Sequence, residues 1–131
     1  MSATITIQDA TLSGEITNEV LLYLESEALD VRELIRSRVY QEVKDYNAGT
    51  GERFRGLVQP AGATVEGSGF RLRKQHKIDW QEQFKISIEA FERGHVLILL
   101  DDRQLERLEE RLELRPKSSI TFLRLVPRVG G

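Results

Sequence analysis

The sequence predicts an α+β fold in a single domain spanning residues 1–131, and three observations carry that expectation. Thr4-Ile5-Thr6-Ile7 alternates polar and apolar residues, as a strand with one buried face does. Residues 31–46 repeat apolar side chains at the helical period. Val96-Leu97-Ile98-Leu99-Leu100 is a short unbroken apolar run between Gly94 and Asp101-Asp102, the pattern of a well-buried strand. A 131-residue domain buries about two-thirds of the surface of its unfolded chain, so it requires no metal or disulfide to hold it together.

After the first strand, Ser13-Gly14 supplies turn chemistry, and residues 19–25 place Val20, Leu22 and Leu24 in one register as the hairpin partner. Asp30 is a natural helix N-cap, with Glu33 at the capping-box position and Leu29 and Leu34 spaced as a hydrophobic staple. The helix carries Val31, Leu34, Ile35, Val39, Val43 and Tyr46 as its apolar stripe and stops at Asn47-Ala48-Gly49. Glycines and prolines then interrupt residues 50–77, which read as a long loop with one short strand at 70–73. Asp79 caps a second helix, with Glu82 at the boxed position, Trp80, Phe84, Ile88 and Phe91 on one face, and Gly94 past its end. Residues 104–114 are charged with leucines interspersed, a short helix or irregular turn, and residues 120–126 form the last strand.

Composition excludes several classes of function. There are no cysteines, hence no disulfide framework, cysteine nucleophile or thiolate metal site. The net charge of -2 gives no global field of the kind nucleic-acid binders carry. His76 and His95 lie in separate segments, so no metal site is expected. Met1-Ser2-Ala3-Thr4-Ile5-Thr6 is not a secretory signal, and no apolar stretch reaches the length of a membrane span, so a cytoplasmic protein without membrane contact is expected. The chain offers no nucleophile and general base of its own, and it is not expected to be an enzyme. Its most informative feature is the ending, Pro127-Arg128-Val129-Gly130-Gly131. Pro127 holds the backbone extended, and two glycines let a tail pass close to other backbone, so residues 127–131 read as a flexible tail that projects from the domain.

The order of hairpin, helix, buried strand, charged connection, final strand and Gly-Gly tail resembles the β-grasp fold of ubiquitin and of the small sulfur carriers of molybdopterin and thiamine synthesis. Residues 96–100 followed by Asp101-Asp102-Arg103-Gln104-Leu105 look like ubiquitin's third strand and the turn after it, which carries a basic residue, Gln and Leu in that order. Lys117-Ser118-Ser119-Ile120-Thr121-Phe122-Leu123-Arg124-Leu125 with the Gly-Gly end looks like ubiquitin's last strand and tail. The Pro127 and Val129 positions are similar to the tails of the molybdopterin carriers. The resemblance covers residues 1–49 and 95–131. The intervening 50–94 is an insertion with a helix of its own, which fits an enlarged ubiquitin-like protein of bacterial type, encoded beside activating, conjugating and deubiquitinase-like enzymes.

The resemblance implies a β-grasp mixed sheet packed on a central helix, and a protein modifier. The carboxylate of Gly131, reached through Gly130, would attack ATP on an activating enzyme, pass as a thioester to the catalytic cysteine of a conjugating-type enzyme, and end on an amine of a target protein, from which a deconjugating protease removes it. ATP is used by the partner, and no cofactor is bound by the chain. Pro127, Arg128 and Val129 would be read as the tail; Leu99, by position the centre of ubiquitin's sheet, and Arg103 are the candidate docking surface. Lys44, Lys74, Lys77, Lys85 and Lys117 are candidate acceptors. The basic group Arg71, Arg73, Lys74, His76 and Lys77 reads as a solvated loop. Two other functions stay open: a sulfur carrier with a C-terminal thiocarboxylate, and a non-conjugated interaction module.

Overall fold

The computed structural model describes residues 2–49, 53–54, 56–60, 63–66, 69–71 and 77–125. Its centre is a mixed five-stranded sheet. Strand β1 (Ala3–Ala10) pairs antiparallel with β2 (Ile16–Leu24), and Gly14 closes the turn between them at φ +92°, with its N–H donated to Thr11 O. The short β3 (Ala28–Asp30) leads into helix α1 (Val31–Ala48). Strands β4 (Arg53–Phe54), β5 (Thr64–Glu66) and β6 (Gly69–Arg71) form a separate three-stranded sheet in the order β4-β6-β5. Helix α2 (Trp80–Glu92) follows, then β7 (Val96–Leu100), β8 (Arg103–Leu105), β9 (Arg111–Glu113) and β10 (Ile120–Arg124). The main sheet runs β2-β1-β10-β7-β8, parallel only where β10 lies beside β1, while β3 pairs with β9.

Alternation fixes which side of this sheet is covered. Ile5, Ile7, Leu22, Leu24, Ile98, Ile120 and Phe122 point to one side and join Val31, Leu34, Ile35, Val39 and Val43 of α1 in the core. The entry to α1 follows the capping expectation: Asp30 accepts from Glu33 N at 2.8 Å, and Leu29 and Leu34 are both buried. Two further N–H groups of the first turn, those of Val31 and Arg32, donate to Glu110 O and Leu108 O, so the β9 connection satisfies donors that a helix start leaves open.

Four expectations are corrected. Residues 50–77 are not only a loop: β4, β5 and β6 lie within them, the strand expected at 70–73 is met by Gly69–Arg71 with residues 72 and 73 outside the described residues, and Leu57, Ala63 and Phe70 enter the core. Residues 104–114 hold no helix, because β8 pairs with β7 and β9 with β3 there. The last strand stops at Arg124 rather than 126, although Leu125 N still donates to His95 O at 2.8 Å. On α2 the deepest line is Gln83, Ser87 and Phe91, with Trp80, Phe84 and Ile88 half-buried beside it. That rotation has a polar cause: Gln83 Nε2 donates to Val58 O, tying the helix to the segment before it, and Ser87 Oγ donates to Gln83 O within the helix.

Candidate functional site

The side of the sheet turned away from α1 is built by the register. Leu99 sits opposite Thr121 on β10 and Gln104 on β8, and Leu97 sits opposite Leu123. Leu97, Leu99 and Leu123 are each half-buried, whereas their neighbours Ile98 and Phe122 are fully covered on the other side. Three leucines therefore form an apolar patch across β7 and β10, beside the point where Leu125 leaves the sheet under the His95 carbonyl. The second candidate, Arg103, is exposed, but its Nη1 donates to Glu110 Oε2 at 2.9 Å, so it belongs to a surface ion pair. Sequence reasoning found Leu99 but missed Leu97 and Leu123. Alternation along β7 contained the first; the second needed the β7–β10 pairing.

Behind this patch lies a cluster of charges that the sequence reading passed over. Arg38 of α1 is fully buried and donates to Asp9 Oδ1 and Oδ2 at 2.5 and 2.7 Å, while its Nε donates to Glu42 Oε2 at 2.7 Å. Its guanidinium carbon lies 4.5 Å from the centre of the Phe122 ring. Burial works to lower the Arg38 pKa, but the charges of Glu42 and Asp9 outweigh it and hold the cation firmly charged. Glu42, 8% exposed, is pushed up to about 7, chiefly by burial; Arg38 and a hydrogen bond from the Leu57 backbone pull the other way, and Asp9 adds repulsion. Arg124, the last residue of β10, faces the same charges; burial lowers its pKa, and its Nη1 donates to Gly56 O at 3.3 Å. The cluster thus joins β1, α1, the insertion and the end of β10. No buried side-chain polar atom among the described residues lacks a hydrogen-bond partner.

Among the acceptor lysines, Lys44, Lys77, Lys85 and Lys117 are exposed, and Lys44 and Lys77 line one groove beside Tyr40 and Trp80. Lys74 lies outside the described residues, as do Pro127, Arg128, Val129, Gly130 and Gly131, so the expected tail geometry lies outside them too. Among the described residues, no group of His, Cys, Asp or Glu is arranged to hold a metal ion, and no helix is long and apolar enough to cross a membrane. Comparison with protein-family models, curated proteins and solved structures finds no match for this chain.

Proposed function

We propose that the chain is a ubiquitin-like modifier of the β-grasp class, with Gly131 as the acyl group that is activated and transferred. The reading is supported above all by one observation: strand order β2-β1-β10-β7-β8, parallel only between β1 and β10, with α1 across one side and Leu125 leaving the central strand next to the Leu97, Leu99 and Leu123 patch. That arrangement gives a rigid body on which an enzyme can dock while the following residues, ending in Gly130-Gly131, extend into its nucleotide site. The Gly131 carboxylate attacks the α-phosphorus of ATP on an activating enzyme, forming an acyl-adenylate and releasing pyrophosphate. A partner's cysteine thiolate displaces AMP to give a thioester, and a target amine displaces that thiolate to give an amide. The chain contributes position and the leucine patch rather than acid–base groups.

Intact-mass and peptide mapping of the protein from its native host tests this. Gly131 joined through an amide to lysines of other proteins is the expected result. A mass gain of one sulfur-for-oxygen exchange would assign the sulfur-carrier function instead, and an unmodified chain with Gly131 never activated would refute both.

A further inference from the structure

We propose that Gly56 and Leu57 latch the end of β10 to α1, and that the latch opens when Glu42 loses its proton. The inference is independent of any chemistry at Gly131.

Two adjacent residues of the segment between α1 and α2 reach two different ends of the buried charge cluster. The Leu57 backbone N–H donates to the Glu42 carboxyl on α1, and Gly56 O accepts from Arg124 Nη1, on the last residue of β10, at 3.3 Å. The same guanidinium lies 5.9 Å from the centre of the Phe70 ring on β6, so Arg124 is held at two points of that segment. One residue later Leu125 N–H donates to His95 O at 2.8 Å, where the chain leaves the sheet. Leu57 and Phe70 are both buried, and the Glu42 side chain is 8% exposed, so the segment covers the carboxyl as well as bonding to it. Because Gly56 and Leu57 are neighbours in the chain, lifting Leu57 from Glu42 also draws Gly56 away from Arg124.

Opening this cover and ionising Glu42 favour one another. Among the described residues, three charges bear on Glu42: Arg38 on its own helix, whose Nε donates to it at 2.7 Å, Asp9 on β1, which repels it, and Arg124 on β10. Arg38 also serves both oxygens of Asp9, so one guanidinium is divided between two carboxylates. Burial accordingly outweighs the pairing and raises the Glu42 pKa to about 7 in the closed form, whereas contact with water returns it towards the ordinary 4.5. The closed form therefore holds the proton more tightly than the open form. It is favoured at low pH and loses that advantage as pH rises towards about 7.

Native-state hydrogen exchange of the full chain, corrected for the intrinsic rate at each pH, tests the latch. Leu57 and Leu125 are expected to share one opening constant, at least about tenfold larger than that of Ile7 in β1, which opens only with the whole fold. That shared constant should rise about 30-fold between about pH 5.5 and about pH 8, levelling off above about 7. Glu42→Gln should abolish the rise at both amides, while Arg124→Ala should preserve it at Leu57 and abolish it at Leu125. Should Glu42→Gln not fold, the Glu42 carboxyl-carbon resonance of the unsubstituted chain serves instead, with its titration midpoint expected where the opening constant levels off. Separate pH responses at Leu57 and Leu125 in the unsubstituted chain, opening of both only together with Ile7, a pH response that survives Glu42→Gln, or a carboxyl midpoint in the ordinary range would each overturn the proposal.

Discussion

Arg38 of α1 and Asp9 of β1 meet through paired hydrogen bonds of 2.5 and 2.7 Å inside an otherwise apolar core. The planar guanidinium matches both carboxylate oxygens, which fixes how the helix sits along the strand. Because Arg38 also holds Glu42, removing it strands two carboxylates away from water. Arg38→Met is expected to lower stability by about 3–5 kcal/mol in chemical denaturation. Adding Asp9→Asn and Glu42→Gln to that variant is expected to recover most of the loss, since the cost comes from uncompensated charge. Equal instability of the single and triple variants would show that packing, and not charge, sets the penalty.

Glu42 makes stability depend on pH near neutrality. Its folded pKa is raised to about 7 from 4.5, so between those values the folded chain keeps a proton that the unfolded chain releases. The stabilising contribution is complete below the unfolded value, declines as pH rises towards about 7, and is absent above it. Wild type relative to Glu42→Gln should therefore lose about 2 kcal/mol between about pH 5.5 and about pH 8. Urea midpoints of the two proteins across that range measure it. A difference that stays flat would mean Glu42 titrates as an ordinary carboxylate.

What was legible in the sequence follows from how local each signal is. The caps at Asp30 and Asp79, the α1 stripe and the strands at β1, β7 and β10 are written in periods of several residues and emerge as expected. Residues 50–77 look like a loop with one short strand in the sequence because strands of two or three residues are too short to display a period, and the glycines dominate the pattern. The charge cluster was readable in part: Asp9 continues the buried register of Ile5 and Ile7, and Arg38 falls four residues after Leu34 on the core stripe. A charged residue in phase on two neighbouring elements is a sign of a buried pair. Leu123 beside Leu97, and Tyr40 against Trp80, depend on pairings between distant segments that no single stretch encodes.

Asn47 ties the last turn of α1 to the segment that leads into α2. Its side-chain amide donates to Ile78 O at 2.9 Å and accepts from Ile78 N at 3.0 Å, copying the pairing of a neighbouring strand. Asn47→Ala removes both bonds at a partly buried position, and a loss of about 1–3 kcal/mol is expected. Hydrogen exchange should accelerate at Ile78 and in the first turn of α2 while β1 and β10 keep their protection. Uniform acceleration throughout the chain would show that the insertion does not open separately.

Gly94 turns the chain from α2 into β7 at φ +77°, and a methyl group built there meets no atom within 4 Å. The obstacle to substitution is therefore backbone conformation alone. Gly94→Ala should cost about 1 kcal/mol, and Gly94→Asn less, because asparagine tolerates the left-handed region better. Thermal melts of the two variants order them; a larger loss for Asn would point to a crowded site instead.

Leu99 is the position at which the proposed docking on the sheet can be tested apart from the sheet's structure. It is half-buried, with Thr121 and Gln104 opposite it, and its side chain lies across the sheet from the fully covered Ile98. Leu99→Arg places a charge on the outer side of the sheet without entering the core, and its stability cost should stay below that of a core truncation such as Ile98→Ala, about 2–5 kcal/mol. If the patch guides an activating enzyme, ATP–pyrophosphate exchange with this variant should show KM raised about tenfold and kcat nearly unchanged, since the loss is in docking rather than at the reacting carboxylate. Gly131→Ala should do the reverse, depressing kcat with little change in KM, because its added Cβ sits at the reacting residue. Identical kinetic signatures for the two variants would contradict this division between leucine patch and tail.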